Sequence, residues 1–168
     1  MTDAAIRGQF AEELAELHDG SISLFVTLPV FRSLVVSGHL ADALVSFEGM
    51  VAEHLAHLDG ILGDVLIRRD RSDGYLTKSL FQSITHLHVW PATSVRDDEI
   101  LHLVQQAQMF LMGSCSFALR CAKLAHVGRA VHVLEESLAR IGSLAVQLIA
   151  LPGGEETESE KVLSNAVA

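Results

Sequence analysis

Basic side chains are scarce in this chain: 12 Lys and Arg stand against 21 Asp and Glu, a formal net charge of -9. Affinity for nucleic acid rests on clustered cations that displace the counterions of phosphates, so no nucleic-acid partner is expected. Arg68, Arg69 and Arg71 form the one basic cluster, and it reads as a solvated helix end. Long apolar runs are lacking too, although the hydrophobic fraction is 49%. Residues 22–36 are interrupted by Pro29 and Arg32, and residues 109–119 are bordered by Gln105, Gln106, Gln108 and Arg120. Neither supplies the roughly 20 apolar residues that a membrane span needs. Residues 1–16 are acidic and lack the basic-then-apolar order of a secretion signal, so a cytoplasmic location is expected.

Cysteine is limited to Cys115 and Cys121. Six residues apart in one helix, their Cα atoms stand about 9 Å from each other, too far for a disulfide. They read as free thiols in a reducing compartment. No glycine-rich phosphate loop occurs, and no Ser or Cys has the supporting base that nucleophilic catalysis requires. The sequence therefore offers no catalytic residues, and an enzyme is not expected.

What is abundant is helical periodicity. Phe10, Leu14, Leu17, Ser21, Leu24, Leu28, Phe31 and Val35 recur in steps of four and three, one stripe of a single helix. The turn-like Asp19-Gly20-Ser21 lies inside that stripe. Pro29 removes one amide donor and crowds the Phe25 carbonyl, which bends a helix without ending it; Ser37-Gly38 ends it. A second stripe holds Leu40, Leu44, Phe47, Val51, His54, Leu58, Ile61 and Val65, until residues 70–74 break the pattern.

Leu76, Leu80, Phe81, Ile84 and Leu87 suggest a short helix within a crossover, left at Trp90-Pro91. Ser94-Val-Arg-Asp97 resembles a capping box opening a third long helix with Val104, Gln108, Leu111, Cys115, Ala118, Ala122 and Ala125 inward. Gly128 reads as its C-terminal cap, and Val131, Leu134, Leu138, Ile141, Ala145 and Leu148 form the fourth stripe before Pro152. Four such stripes imply an all-α fold, an antiparallel four-helix bundle in which a crossover of more than 20 residues, with a short extra helix, joins helices two and three, as in ferritin-like bundles. The bundle is expected over residues 1–154, with an acidic, flexible tail over 155–168.

Leu17-His-Asp-Gly-Ser-Ile-Ser-Leu24, then Leu28-Pro29, then Leu58-Asp59, resembles without gaps the pattern of the YciE/YciF-type ferritin-like stress proteins. Those read Leu-Tyr-(Asp/Ser)-Ala-Glu-Lys-Gln-Leu, Leu-Pro, and a second-helix segment with His, Glu and Leu-(Glu/Asp). Glu135-Glu136-Ser-Leu138 is similar to the family's Glu-Glu-Thr-Leu in the last helix, and the likeness covers about residues 9–150. The resemblance implies a bundle whose centre holds two metal ions on carboxylates and histidines, and a stress-related role.

Carried over position by position, that ligand set is missing. Ser21 stands where a Glu is required, Met50 and Gly49 fall at the second-helix Glu, and Gln108-Met-Phe-Leu111 replaces Glu-His-Tyr-Glu. Arg140, Ile141, Leu144 and Ala145 occupy the last positions; His54 alone remains compatible. No cofactor is expected, because paired divalent cations in so neutral a lining face a large desolvation cost.

Ser21, His54 and Gln108 fall on inward stripes at mid-helix, where they form either a structural polar layer that fixes register or the remnant of a ligand site. Glu53, His54 and His57 are a weaker alternative as a metal site, since Glu53 and His57 lie off the apolar seam. His86, His88 and Trp90 sit in the crossover with no assigned role. The expected protein is thus a non-catalytic homodimer acting by binding or assembly. The alternatives are a di-metal oxidase or iron-handling protein, and a bundle that takes a small apolar ligand in its core.

Overall fold

The computed structural model describes residues 3–65 and 75–151, and over these the chain is helical with no strand. α1 runs Asp3–Leu34, α2 Gly38–Val65, α3 Tyr75–Leu87, α4 Ser94–Leu124 and α5 Gly128–Ile149. The expected bundle with a helical crossover is therefore present. The segment 66–74 and the acidic tail lie outside the described residues.

Each long helix buries the stripe that its periodicity sets out. Phe10, Leu14, Leu17, Leu24, Leu28 and Phe31 of α1 meet Leu40, Leu44, Phe47, Val51, Leu58 and Ile61 of α2, all within 5% of full burial. Fully burying one such side chain is worth about 1.5–3 kcal/mol, which is why the seams and not intrinsic propensity hold the helices in place. α1 packs on α2 and α4, and α5 closes the square against α4 and α2. α3 lies outside this square, against α1 and α4.

α1 continues unbroken through Asp19-Gly20-Ser21 and through Pro29. Pro29 is exposed, so the carbonyl that it leaves without a donor sits on the solvent side. The turn-forming residues are held helical by back-bonding to the preceding turn. Ser21 Oγ donates to the Leu17 carbonyl at 2.7 Å, Ser23 Oγ to Asp19 at 2.9 Å and Thr27 Oγ1 to Ser23 at 2.7 Å.

The direction of α4 is set at one contact. Asp97, in its first turn, is buried and accepts the Val36 amide at 3.0 Å and the Ser37 amide at 2.7 Å. The neighbouring Arg96 guanidinium donates to the Leu34 carbonyl. α4 thus begins where α1 ends and runs antiparallel to it, so the crossover must carry the chain back along the bundle. Ser37 in turn caps α2, its hydroxyl accepting the Leu40 amide at 3.3 Å.

Three local expectations are corrected. Ser94-Val-Arg-Asp97 is not a capping box: Thr93 is the N-cap, without a side-chain bond, and the Asp97 carboxylate is spent on the α1–α2 turn instead. Gly128 does not close α4 but opens α5. The stop is a Schellman motif, with the Val127 amide on the Ala122 carbonyl at 3.0 Å, the His126 amide on Lys123 at 3.3 Å, and His126 itself at φ 57°. The seam of α5 holds Ala130, Leu134, Ser137, Ile141, Leu144 and Leu148, leaving Val131, Leu138 and Ala145 half-buried. Because α5 packs against both α4 and α2, its buried stripe falls between the two neighbours, and Val131, Leu138 and Ala145 lie on one flank of it.

Two predictions follow from these contacts. Asp97→Ala strands two amide donors and should lower unfolding free energy by about 2–4 kcal/mol in urea titrations, with Asp97→Asn falling between it and the wild type. His126→Gly relieves a left-handed side chain and should raise the melting temperature by about 2–4 °C in a calorimetric scan.

Candidate functional site

The middle of the bundle is reached from cross-helix contacts that fix the register. His18 Nε2 meets Asp59 Oδ1 at 2.7 Å between α1 and α2. Gln108 Nε2 donates to the Ile141 carbonyl at 2.8 Å, and Cys115 Sγ lies 3.5 Å from that of Leu134, between α4 and α5. Arg140 of α5 pairs with Glu53 of α2. Counting along each seam from these points places Ser21, His54, Leu111 and Ser137 within about one turn of a common level.

Ser21, His54 and Gln108 are all buried, but no hydrogen bond links them to one another. Ser21 is bonded within its own helix and Gln108 reaches across to α5. His54 is 2% exposed, and both of its ring nitrogens lack a protein partner, as does the buried Ser137 hydroxyl. Burial lowers the His54 pKa from the usual 6.5 to about 4, with the nearby His57 and His18 pushing the same way. Its imidazole is therefore neutral at physiological pH and offers one donor and one acceptor.

Carboxylates are what the layer lacks. Among the described residues the buried polar ones are His18, Ser21, Thr27, His54, Asp97, Gln108 and Ser137. The single acid among them, Asp97, sits at the end of the bundle with its oxygens committed. Glu135 and Glu136, whose sequence setting reads as a solvated face or an ion pair, point outward to Lys123 at 2.7 Å and Arg140 at 2.9 Å. Glu53 is exposed and held by Arg140 while His54 is buried, so Glu53, His54 and His57 do not converge. Among the described residues no three His, Cys, Asp or Glu side chains form a set able to hold a metal ion. Two hard divalent cations need several anionic oxygens, so these residues do not fit the di-metal centre of ferritin-like proteins.

No protein-family model and no curated protein sequence matches the chain. Solved structures do. The E. coli stress protein YciF superposes with a TM-score of 0.75 over 86% of this chain and 92% of its own, at 14% identity. The chain is a ferritin-like bundle. YcfI of Rhodopseudomonas palustris, described as a protein of proposed structural role, gives a TM-score of 0.72 at 13% identity, covering 90% of this chain and 96% of that one. At such identities the likeness to YciF is one of fold, and function must come from the residues. Among the described residues, no helix is long and apolar enough to cross a membrane.

Sequence reasoning missed His18, Thr27 and Ser137. His18 and Asp59 flank the seam residues Leu17 and Leu58, and that paired adjacency was the available signal. Ser137 was hidden by the heavier Leu138 beside it. The crossover residues separate: Ser83, His86, Leu87, Trp90, Glu99 and Leu103 line a shallow recess of about 240 Å³ between α3 and α4, while His88 is exposed. The two cysteines are free and buried, and burial pushes the Cys115 thiol up to about 12, which leaves it unreactive.

His54 makes the layer acid-sensitive. Its folded pKa lies below its unfolded value, so the unfolded chain takes up the proton first; stability is intact above about pH 6.5 and is lost as pH falls towards 4. His54→Leu should be at least as stable as wild type at pH 7.5, and gain a further 2–3 kcal/mol (roughly) over it at about pH 4.5. Parallel stability–pH curves for the two proteins, measured by urea unfolding, would show that His54 plays no such part.

Proposed function

We propose that this protein is a ferritin-like bundle that has given up metal chemistry and acts by binding or assembly, in a stress-related setting like that named for YciF. The observation that carries this reading is the absence, among the described residues, of any carboxylate buried at mid-bundle, with Ser21, Gln108 and Leu111 where acidic ligands would be required. A Ser→Glu change at one position would not restore the site, because each helix would have to contribute an anionic oxygen.

The unpartnered nitrogens of His54 and the Ser137 hydroxyl favour a second, compatible reading, in which the layer seats a small neutral hydrogen-bonding molecule. That chemistry fits a polar guest better than the wholly apolar ligand that the hydrophobic seams alone suggest.

Metal analysis of untagged protein, followed by titration with Fe(II) and Mn(II), tests the main reading. No tightly bound pair of equivalents per chain and no metal-dependent oxidase activity are expected. Two equivalents retained through gel filtration would overturn it.

A further inference from the structure

Ser83, His86, Leu87 and Trp90 follow one another at three-four spacing, so they stand on one face of α3 and of the turn that ends it. Glu99 and Leu103, four residues apart, come from one face of α4. Together these six residues line the recess of about 240 Å³. Leu87 is buried and Leu103 half-buried, which makes part of the lining apolar, and Ser83, His86, Trp90 and Glu99 add polar groups to it.

The α3 wall is preformed. The Val89 amide donates to the His86 carbonyl at 3.1 Å and the Trp90 amide to that of Leu87 at 3.2 Å, so the chain stays coiled past the end of α3. The Trp90 carbonyl accepts the Arg96 guanidinium at 3.4 Å, and Arg96 also holds the Leu34 carbonyl at the end of α1. Pro91 restricts the backbone that follows. Trp90 is thus 41% exposed on a backbone anchored to the bundle.

Charge selects the guest. Glu99 is half-buried, and among the described residues it has no ion pair or hydrogen bond. No Lys or Arg is among the six lining residues, and Arg96 is spent on its two carbonyls. His86 and Leu87 belong to the last turn of α3, whose carbonyls carry partial negative charge. An anion is therefore repelled. A metal ion is poorly served, because His86 and Glu99 supply only two strong ligands and no set of three His, Cys, Asp or Glu forms among the described residues. An unpaired carboxylate beside a partly exposed indole suits a cation with an apolar body, since the face of Trp is the best aromatic attractor of such groups.

We propose that this recess binds a small organic ammonium ion, its alkyl groups against Trp90 and Leu87 and its charge against Glu99. At about 240 Å³ the recess is smaller than the roughly 300–1,000 Å³ of drug-sized sites, which limits the guest to a handful of non-hydrogen atoms. The site shares no residue with the mid-bundle layer of Ser21, His54, Gln108 and Ser137, so it holds whatever that layer does.

Trp90 is the single tryptophan of the chain, which makes its fluorescence a direct reporter of the recess. The full chain is titrated with choline at constant ionic strength, and in parallel with dimethylbutanol, the uncharged carbon isostere of choline. Choline should give a saturable change in Trp90 emission with a Kd of roughly 0.1–10 mM, and dimethylbutanol should bind at least about tenfold more weakly. Glu99→Gln should weaken choline about fivefold or more with the helical circular dichroism unchanged, since this carboxylate makes no bond within the described fold. Asp98→Asn removes the same charge from an exposed neighbouring position outside the recess and should leave the affinity unchanged. Trp90→Ala should abolish the broadening of the choline methyl resonance that the wild type produces.

No saturable response up to about 100 mM choline, equal affinity for dimethylbutanol, an equal effect of Glu99→Gln and Asp98→Asn, or undiminished broadening with Trp90→Ala would each overturn the proposal. Metal titration is read separately: a protein loaded with Fe(II) would overturn the metal-free reading and leave the recess untouched.

Discussion

Everything in this bundle depends on the chain being returned, after α2, to the end at which α1 finished. In this topology the four apolar seams are buried together with α4 starting there and running against α1, and the buried Asp97 fastens that start by taking the amides of Val36 and Ser37. One carboxylate thereby joins three helices and satisfies donors that a tight turn leaves without partners. Its burial is tolerable because charge-assisted bonds to two amides replace its water. The same acid in the middle of the bundle would find no such donors, since every amide there is committed to its own helix. Position along the bundle, and not composition, decides where this interior accepts a charge.

The mid-bundle layer follows a different rule. Ser21 and Thr27 turn back to carbonyls of their own helix, and Gln108 reaches the Ile141 carbonyl of its neighbour. Neutral polar groups of this kind can be held by backbone alone, so the layer survives without a metal or a counter-charge. Ser137 and His54 are the exceptions. The Ser137 hydroxyl has no protein partner, and His54 keeps two ring nitrogens away from any, while its burial gives a depressed pKa, a neutral ring and an acid-labile core.

Most of the architecture was legible in the sequence, because seams of four-three spacing survive whatever occupies the individual positions. Leu17 to Phe31 and Leu40 to Ile61 went inward as their period required, and Pro29 did not interrupt α1. What could not be read was any feature decided by a partner distant in sequence. Asp97 has the spacing of a local cap but bonds to residues about 60 positions away. His126 holds a left-handed backbone two residues before a glycine that would adopt it more readily, since the Schellman bonds to Ala122 and Lys123 fix where α4 stops. In the site, the burial of Ser21, His54 and Gln108 followed from periodicity, but their bonding did not. A hydroxyl in a helix has a carbonyl one turn back within reach, and that local choice wins over a partner across the core.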